Sequence, residues 1–266
     1  MSNTGSYPLT LPALAAFDWP AVSAQLDGSG FAMTPPLLSP AQCVEVIDMF
    51  DEDARFRSTV VMARHAYGQG SYRYFADPLA PLVQALRVNF YPPLARIANR
   101  WAAQLDERRF PETLDGLLEE CAAAGQHKPT PLLLRYGAGG YNCLHQDVYG
   151  DLTFPLQVLI MLSTPDEDFT GGESVFVEQR PRQQSRAMVA RPTLGQGVIF
   201  PVRHRPFAVP AATGDSRCGT ASAQSIPATG MSWASSSTTP AERSTALPET
   251  THVAVCWPYA VLVHRR

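Results

Sequence analysis

Residues 131–150 read PLLLRYGAGGYNCLHQDVYG, and the fold depends on how this stretch is built. Its residues 132–134 are three leucines, a run that is typical of a buried strand. Residues 137–140, Gly-Ala-Gly-Gly, indicate a turn, because glycine tolerates positive φ angles. Residues 142–147 then predict a second strand. The stretch therefore predicts two strands joined by a glycine-rich turn.

The second strand carries His145 and Asp147, which are separated by Gln146. Residues i and i+2 of an extended strand point to the same face, so the imidazole and the carboxylate should lie side by side with Gln146 turned away. Such a pair can hold two adjacent positions on a divalent metal, and two histidines with one carboxylate are typical of non-haem Fe(II) sites. A surface histidine beside an aspartate in a turn is the alternative for these two residues alone.

The sequence LLLRYGAGGYNCLHQD resembles the Fe(II)- and 2-oxoglutarate-dependent dioxygenases, both the prolyl-hydroxylase-like members and the nucleic-acid demethylases of the AlkB type. Two later motifs resemble the same family, TGGE at residues 170–173 and LGQGVIF at residues 194–200. The resemblance covers roughly residues 29–206 and is most specific over residues 131–206.

This resemblance implies roles for three residues. His145 and Asp147 would ligate Fe(II), and Tyr136 would donate its hydroxyl to 2-oxoglutarate, with O2 as the other reactant. The family places a further, distal histidine ligand on a later strand. About ten residues after it comes a basic residue that pairs with the 2-oxoglutarate carboxylate, a task that suits arginine.

Composition limits the class of protein. The chain has 266 residues, 45% of them hydrophobic, so it can bury the core of one large domain, or of one domain with an appendage. Without a run of about 18 apolar residues or a basic N-terminal flank, we expect no membrane span and a cytoplasmic location. The five cysteines show no CxxC spacing, which argues against a zinc site or a disulfide framework. A net charge of −3 gives no overall basic footprint for nucleic acid.

The hydrophobic patterns predict an α+β fold in three parts: residues 1–130 as an N-terminal helical support, residues 131–206 as an incomplete core of strands, and residues 207–266 as an irregular tail. Closely spaced short strands separated by turns indicate an antiparallel sandwich or jelly roll. The resemblance implies the jelly roll, that is, the double-stranded β-helix, under an N-terminal helical layer. The predicted strands are residues 132–134, 142–147, 155–162, 173–177, 187–191 and 197–202.

Residues 56–76 mix aromatic side chains, arginine and glycine, which is typical of a loop that contacts a substrate. The candidate contacts are Tyr67, Tyr72, Arg73 and Tyr74. An ordinary packed hairpin is the alternative for this segment.

The sequence changes character after Pro206. Residues 207–266 are rich in Ser, Thr, Ala and Pro, and contain no histidine and arginine at the spacing that the family requires. We interpret this as a change of reading frame near the Pro206 codon. Read one nucleotide earlier, the codons of residues 232–234 permit Leu-Gly, with the Gly required, and residues 230–239 permit the strand-like sequence HELGIIFHD. A natural disordered tail is the alternative.

His204 is the alternative third ligand, although Arg203 and Arg205 on either side of it disfavour cation binding.

Four functions remain open at this point. The first is a dioxygenase that hydroxylates or oxidatively demethylates a substrate, with alkylated nucleic-acid bases as candidates. The second is a prolyl or peptide side-chain hydroxylase. The third is a catalytically inactive product or binding module that lacks the distal histidine and the arginine. The fourth is a cupin-like metal protein that uses no 2-oxoglutarate. The expected partners are therefore a small-molecule co-substrate and a nucleic acid or protein substrate, without a membrane.

Overall fold

A computed structural model of the chain describes residues 17–147, 150–180, 182–207, 224–234 and 250–255. Within these residues the helices are α1 (Trp19–Ser29), α2 (Pro40–Asp48), α3 (Pro81–Leu105) and α4 (Leu114–Ala123). None of the helices in the described part is long and apolar enough to cross a membrane.

Strands make up most of the rest of the described chain. They are β1 (Ala32–Pro36), β2 (Phe56–Val61), β3 (Gly68–Gln69), β4 (Ser71–Phe75), β5 (Leu132–Tyr136), β6 (Tyr141–His145), β7 (Leu156–Met161), β8 (Glu173–Glu178), β9 (Arg186–Ala190), β10 (Gln196–Pro201), β11 (His204–Phe207), β12 (Gln224–Ala234) and β13 (Thr250–Val255).

The strands form two antiparallel sheets. One has seven strands in the order β1-β10-β7-β13-β5-β4-β2, and the other has the order β3-β6-β12-β8-β9, with β11 paired to β12. Helices beside antiparallel sheets make this an α+β protein, as the sequence predicts.

Alternation along β5 shows how the layers stack. Leu133 packs into a core that also holds the buried residues of the helices, including Leu94 and Trp101 of α3. Leu134 and Tyr136 point the other way, into a second core that also contains Phe176 of the six-stranded sheet. The seven-stranded sheet is therefore the middle layer, with helices on one face and the second sheet on the other. We call the cluster of side chains packed between the two sheets the inter-sheet core.

α2 begins with a capping box. Ser39 is the N-cap, its hydroxyl accepts from the backbone N–H of Gln42, and the Gln42 side chain accepts from the Ser39 N–H. Pro40 lies at the first helical position, where its missing N–H costs nothing.

Two expectations about the flanks of the core need correction. The first 130 residues are more than a helical support, because β1, β2 and β4 lie in the same sheet as β5. The tail is also not wholly irregular: β12 lies between β6 and β8, and β13 lies between β5 and β7. The remainder of the tail, residues 208–223, 235–249 and 256–266, lies outside the described residues.

A buried ion pair joins α1 to the six-stranded sheet. Arg205 Nη2 lies 2.8 Å from Glu178 Oε1, and the two side chains are 4% and 5% exposed. The same guanidinium donates to the backbone carbonyls of Asp27 and Gly28 in the last turn of α1. Arg205 thus satisfies helix-end carbonyls while Glu178 balances its charge.

Glu178→Ala should lower the free energy of unfolding by about 3–5 kcal/mol, because it leaves Arg205 buried without its carboxylate. Urea unfolding of the variant and the parent chain measures the difference. The matched control is Arg191→Ala, which breaks the exposed pair with Asp166 and should cost less than about 1 kcal/mol. Equal losses in the two variants would contradict the assignment.

Candidate metal centre

A bulge in β6 determines which of its side chains point inward. His145 is the Cα partner of Met231 on β12, and Asn142 is the partner of Trp233, so three steps on β6 oppose two on β12. Positions 231 and 233 share a face, and position 231 also pairs with Phe176, which lies in the inter-sheet core. Asn142 and His145 therefore both face the inter-sheet core, although they are three positions apart.

The structure brings His145 and Asp147 together. His145 Nε2 lies 3.3 Å from Asp147 Oδ1, and the side chains are 31% and 23% exposed, so a cation can reach them from solvent. His145 is the last residue of β6, and Asp147 follows beyond the end of the strand. The predicted strand over residues 142–147 therefore extends two residues beyond the end of β6, although the predicted proximity is present.

The hydrogen bonds of His145 determine which ring nitrogen faces Asp147. Its Nδ1 lies 2.8 Å from the carbonyl oxygen of Cys143, which can only accept, so Nδ1 carries the proton. In the neutral ring Nε2 then presents a lone pair to a carboxylate oxygen. Two such acceptors need a shared cation, either a proton or a metal. Ligand atoms at about 2.1 Å in adjacent positions on one metal are about 3 Å apart, so the pair fits a divalent ion.

Asp147 is also held from the opposite sheet. The side-chain amide of Gln157 donates to Asp147 Oδ2 at 3.0 Å. Gln157 lies on β7, whose residues are all buried. Sequence reasoning missed Gln157, and the signal that could have found it is a single amide within the apolar run LQVLIM.

Tyr136 lies in the inter-sheet core and is 3% exposed. Burial raises the pKa of its hydroxyl well above the usual value, and the negative charge of Asp147 raises it further, against a side-chain hydrogen bond with Asn142. Tyr136 therefore remains a protonated donor at any physiological pH, beside the candidate ligand Asp147. Sequence reasoning also missed Asn142.

Gly70 leaves room for the Tyr136 ring. A Cβ at Gly70, which has φ +152°, would lie 2.6 Å from Tyr136 Cδ1. Gly70→Ala should therefore displace the ring and cost about 1–3 kcal/mol of unfolding free energy, measured in urea. Gly137→Ala is the control, because its Cβ would meet no atom within 4 Å, and it should change stability by less than about 0.5 kcal/mol. A neutral Gly70→Ala would contradict this packing.

The four candidate substrate contacts separate into two groups. Tyr67, Tyr72 and Tyr74 all contact the inter-sheet core, with Tyr74 buried in it. Tyr67 also lies beside β6, the strand that carries His145, since the Tyr67 carbonyl accepts from the Cys143 N–H at 2.7 Å. Arg73 points to the opposite face of β4, where Nη2 lies 2.6 Å from Asp53 Oδ1. The structure therefore does not bring Arg73 to the site.

Among the described residues, no group of three or more His, Cys, Asp or Glu side chains could hold a metal. His204, the alternative third ligand, lies 3.9 Å from Glu107. Burial and the charge of Arg203 lower its pKa. The described part of the chain thus brings two candidate ligands together, and His204 does not join them.

Similar proteins are known from sequence and from structure. The chain is 48% identical over 133 residues to two uncharacterized proteins of Mycobacterium tuberculosis, MT2286 of strain CDC 1551 / Oshkosh and Rv2227 of strain ATCC 25618 / H37Rv. These matches cover 50% of the chain and 57% of each relative, so the chain spans little more than half the length of these proteins.

The solved structures that are similar to this chain, at low identity, include two bacterial proteins. A prolyl-4-hydroxylase of Pseudomonas putida has a TM-score of 0.46 at 13% identity, covering 89% of this chain and 96% of that one. An oxidoreductase of the 2OG-Fe(II) oxygenase family from Burkholderia pseudomallei has a TM-score of 0.47 at 14% identity, covering 90% of each chain.

A family model covers the site. The Oxygenase-NA model, described as an oxygenase catalysing oxidative methylation of damaged DNA, matches residues 70–226. The match spans more than half of the chain and includes Tyr136, His145 and Asp147. The chain therefore belongs to the Oxygenase-NA family of oxygenases, which confirms the oxygenase resemblance of its sequence.

Proposed function

We propose that the chain is an Fe(II)- and 2-oxoglutarate-dependent dioxygenase, and that its two facing sheets are the double-stranded β-helix of that class. The observation that carries the proposal is the approach of His145 Nε2 to Asp147 Oδ1 at 3.3 Å. Two acceptor atoms at this separation, with Nδ1 of the ring engaged by a carbonyl, suit adjacent positions on one divalent ion.

In this proposal the residues of the site have distinct tasks. His145 and Asp147 hold Fe(II), which together with 2-oxoglutarate and O2 supplies the oxidation of a substrate C–H bond, with release of succinate and CO2. Tyr136 donates its hydroxyl to a carboxylate oxygen of 2-oxoglutarate and, being buried, excludes water from that contact. The protein thus orients the reactants and shapes the cavity.

For the substrate we propose an alkylated nucleic-acid base. The family description, which names damaged DNA, supports this class. Oxidation of an N-methyl group gives an N-hydroxymethyl group that leaves as formaldehyde, so the chemistry removes a methyl group from the base. Tyr67, stacked on His65 with ring centroids 5.3 Å apart, offers an aromatic surface beside β6 on which a base can stack.

Tyr136→Phe removes one hydroxyl and should weaken the apparent affinity for 2-oxoglutarate by roughly 10- to 100-fold, because a hydrogen bond to a charged group contributes about 1.5–3 kcal/mol. Titration of succinate production against 2-oxoglutarate, in a chain with the frame restored near Pro206, measures it. Tyr141→Phe is the control, since Tyr141 is 43% exposed. An unchanged affinity in Tyr136→Phe would remove the assigned role.

The function is tested by succinate and formaldehyde release, with Fe(II) and 2-oxoglutarate, from the 266-residue chain and from the frame-restored chain. The substrates are a single-stranded oligonucleotide carrying N-methylated bases, its unmethylated twin and a proline-containing peptide. Equal amounts of succinate and formaldehyde with the methylated strand alone support the proposal. Succinate production that requires the peptide replaces it with the side-chain hydroxylase.

A second candidate is a catalytically inactive form. It is favoured by the observation that the described residues provide no group of three metal ligands. In that case the 266-residue chain gives no succinate with any substrate, while the frame-restored chain does. Turnover by both chains would exclude it.

A further inference from the structure

We infer that Gln157 is a positioning residue, which fixes the carboxylate of Asp147 so that Oδ1 faces His145. This inference rests on the proposed metal centre and adds a residue to it. Gln157 itself would touch neither the metal nor the substrate.

The position of Asp147 calls for such a support. Asp147 lies two residues beyond the last residue of β6. Gln157 lies within the ladder of the other sheet, where it is the Cα partner of Phe200 on β10. A donor on a rigid strand therefore reaches across the inter-sheet core to a group at a strand end.

The burial of Gln157 points to the same role. Its side chain faces the inter-sheet core on the same side of β7 as Leu159, and the residue is 3% exposed. An amide in such a place costs free energy unless it is hydrogen-bonded, whereas leucine or methionine would fill the space without that cost. The bond to Asp147 Oδ2 at 3.0 Å compensates the burial.

The bond also selects between the two carboxylate oxygens. Gln157 donates to Oδ2, and Oδ1 is the oxygen that approaches His145 Nε2. Rotation of the carboxylate would exchange its two oxygens or turn both away from His145. Such a rotation has to break the hydrogen bond that the Gln157 side-chain amide donates. Partners of this kind orient metal ligands and raise metal affinity.

Gln157→Met tests the inference, because it keeps the volume and removes the donor. The 266-residue chain and its variants are titrated with Mn(II), and the unbound ion is measured by electron paramagnetic resonance. Gln157→Met should raise the Mn(II) dissociation constant about 10- to 100-fold. Gln157→Asn, which keeps the amide but is one methylene too short, should do the same and serves if Gln157→Met does not fold. Ile160→Val, on the other face of β7, should lower the melting temperature and leave the dissociation constant unchanged.

The outcomes separate this inference from the metal centre itself. If the parent chain and both Gln157 variants bind Mn(II) equally well, Gln157 is a packing residue and the inference is wrong while the centre stands. If Ile160→Val weakens binding as much as Gln157→Met, the effect is general destabilisation and the inference is again wrong. If the parent chain binds no Mn(II), the proposed metal centre and the inferred role of Gln157 are both wrong.

Discussion

Asp147→Ala and His145→Ala should each abolish the Mn(II)-dependent rise in melting temperature of the 266-residue chain. Each variant removes one of the two donor atoms that lie 3.3 Å apart, and a single remaining donor holds a hydrated divalent ion poorly. The loss of affinity should exceed the roughly 100-fold cost of losing a residue that only supports a ligand. Differential scanning fluorimetry over a series of Mn(II) concentrations measures the shift, and succinate production in the frame-restored chain should fall in parallel.

Asp151→Ala is the matched control. Asp151 is an exposed aspartate four residues further along the chain, so the substitution removes the same charge from the same region. It should leave the Mn(II)-dependent shift unchanged. An equal loss in Asp151→Ala and Asp147→Ala would mean that the ion responds only to local negative charge. A shift that survives both His145→Ala and Asp147→Ala would place the metal elsewhere.

The spacing of His145 and Asp147 was readable from the sequence, but the reason for their approach was not. Alternation along a strand predicts that the side chains of both residues share a face. In the structure β6 ends at His145, so strand alternation does not determine the direction of the Asp147 side chain. The inward direction of His145 depends on the bulge between Asn142 and His145, which is defined only by pairing with β12. A bulge depends on the partner strand, so the local sequence of β6 does not reveal it.

Other parts of the site depend on contacts between distant segments. Gln157 lies on the seven-stranded sheet and Asp147 follows a strand of the other sheet, and nothing in the nine residues between them predicts their hydrogen bond. Arg73 is different, because strand alternation already separates it from Tyr72 and Tyr74. Its proposed contact with the substrate was drawn from residue type, and its ion pair with Asp53 on the other face agrees with the alternation.

The fold was predicted best where its signals are local. The apolar run in β5, the glycine turn after it and the capping box of α2 are all visible within a few residues. The role of the N-terminal region was underestimated, because β1 joins the sheet by pairing with β10 across more than 150 residues of chain. Composition likewise suggested an irregular tail, although β12 and β13 each pair with two strands of the core.

The position of β12 places residues encoded after the Pro206 codon next to the candidate metal site. β12 is the neighbour of β6 in the sheet, and its residue 231 is the Cα partner of His145. The activity proposed for the site therefore depends on residues that follow the Pro206 codon, because they lie beside His145, a candidate metal ligand. Since the described residues contain no group of three ligands, the resemblance places the distal histidine and its arginine in this segment, and the present frame supplies neither at the required spacing.

Restoring one nucleotide near the Pro206 codon should therefore raise coupled succinate production by more than the roughly 100-fold that a supporting residue contributes to a metal site. It should also raise the soluble yield, because the present β12 contains Pro227 and Gly230, and both residue types weaken a strand that pairs on both sides, here with β6 and β8. Parallel expression of the two chains, with succinate measured per mole of protein, tests both effects. A silent substitution in the Pro206 codon controls for changes in expression.

If resequencing shows the present frame to be genuine and the 266-residue chain turns over 2-oxoglutarate robustly, the frame hypothesis is wrong. In that case the third ligand is supplied by a residue of the present frame other than His204.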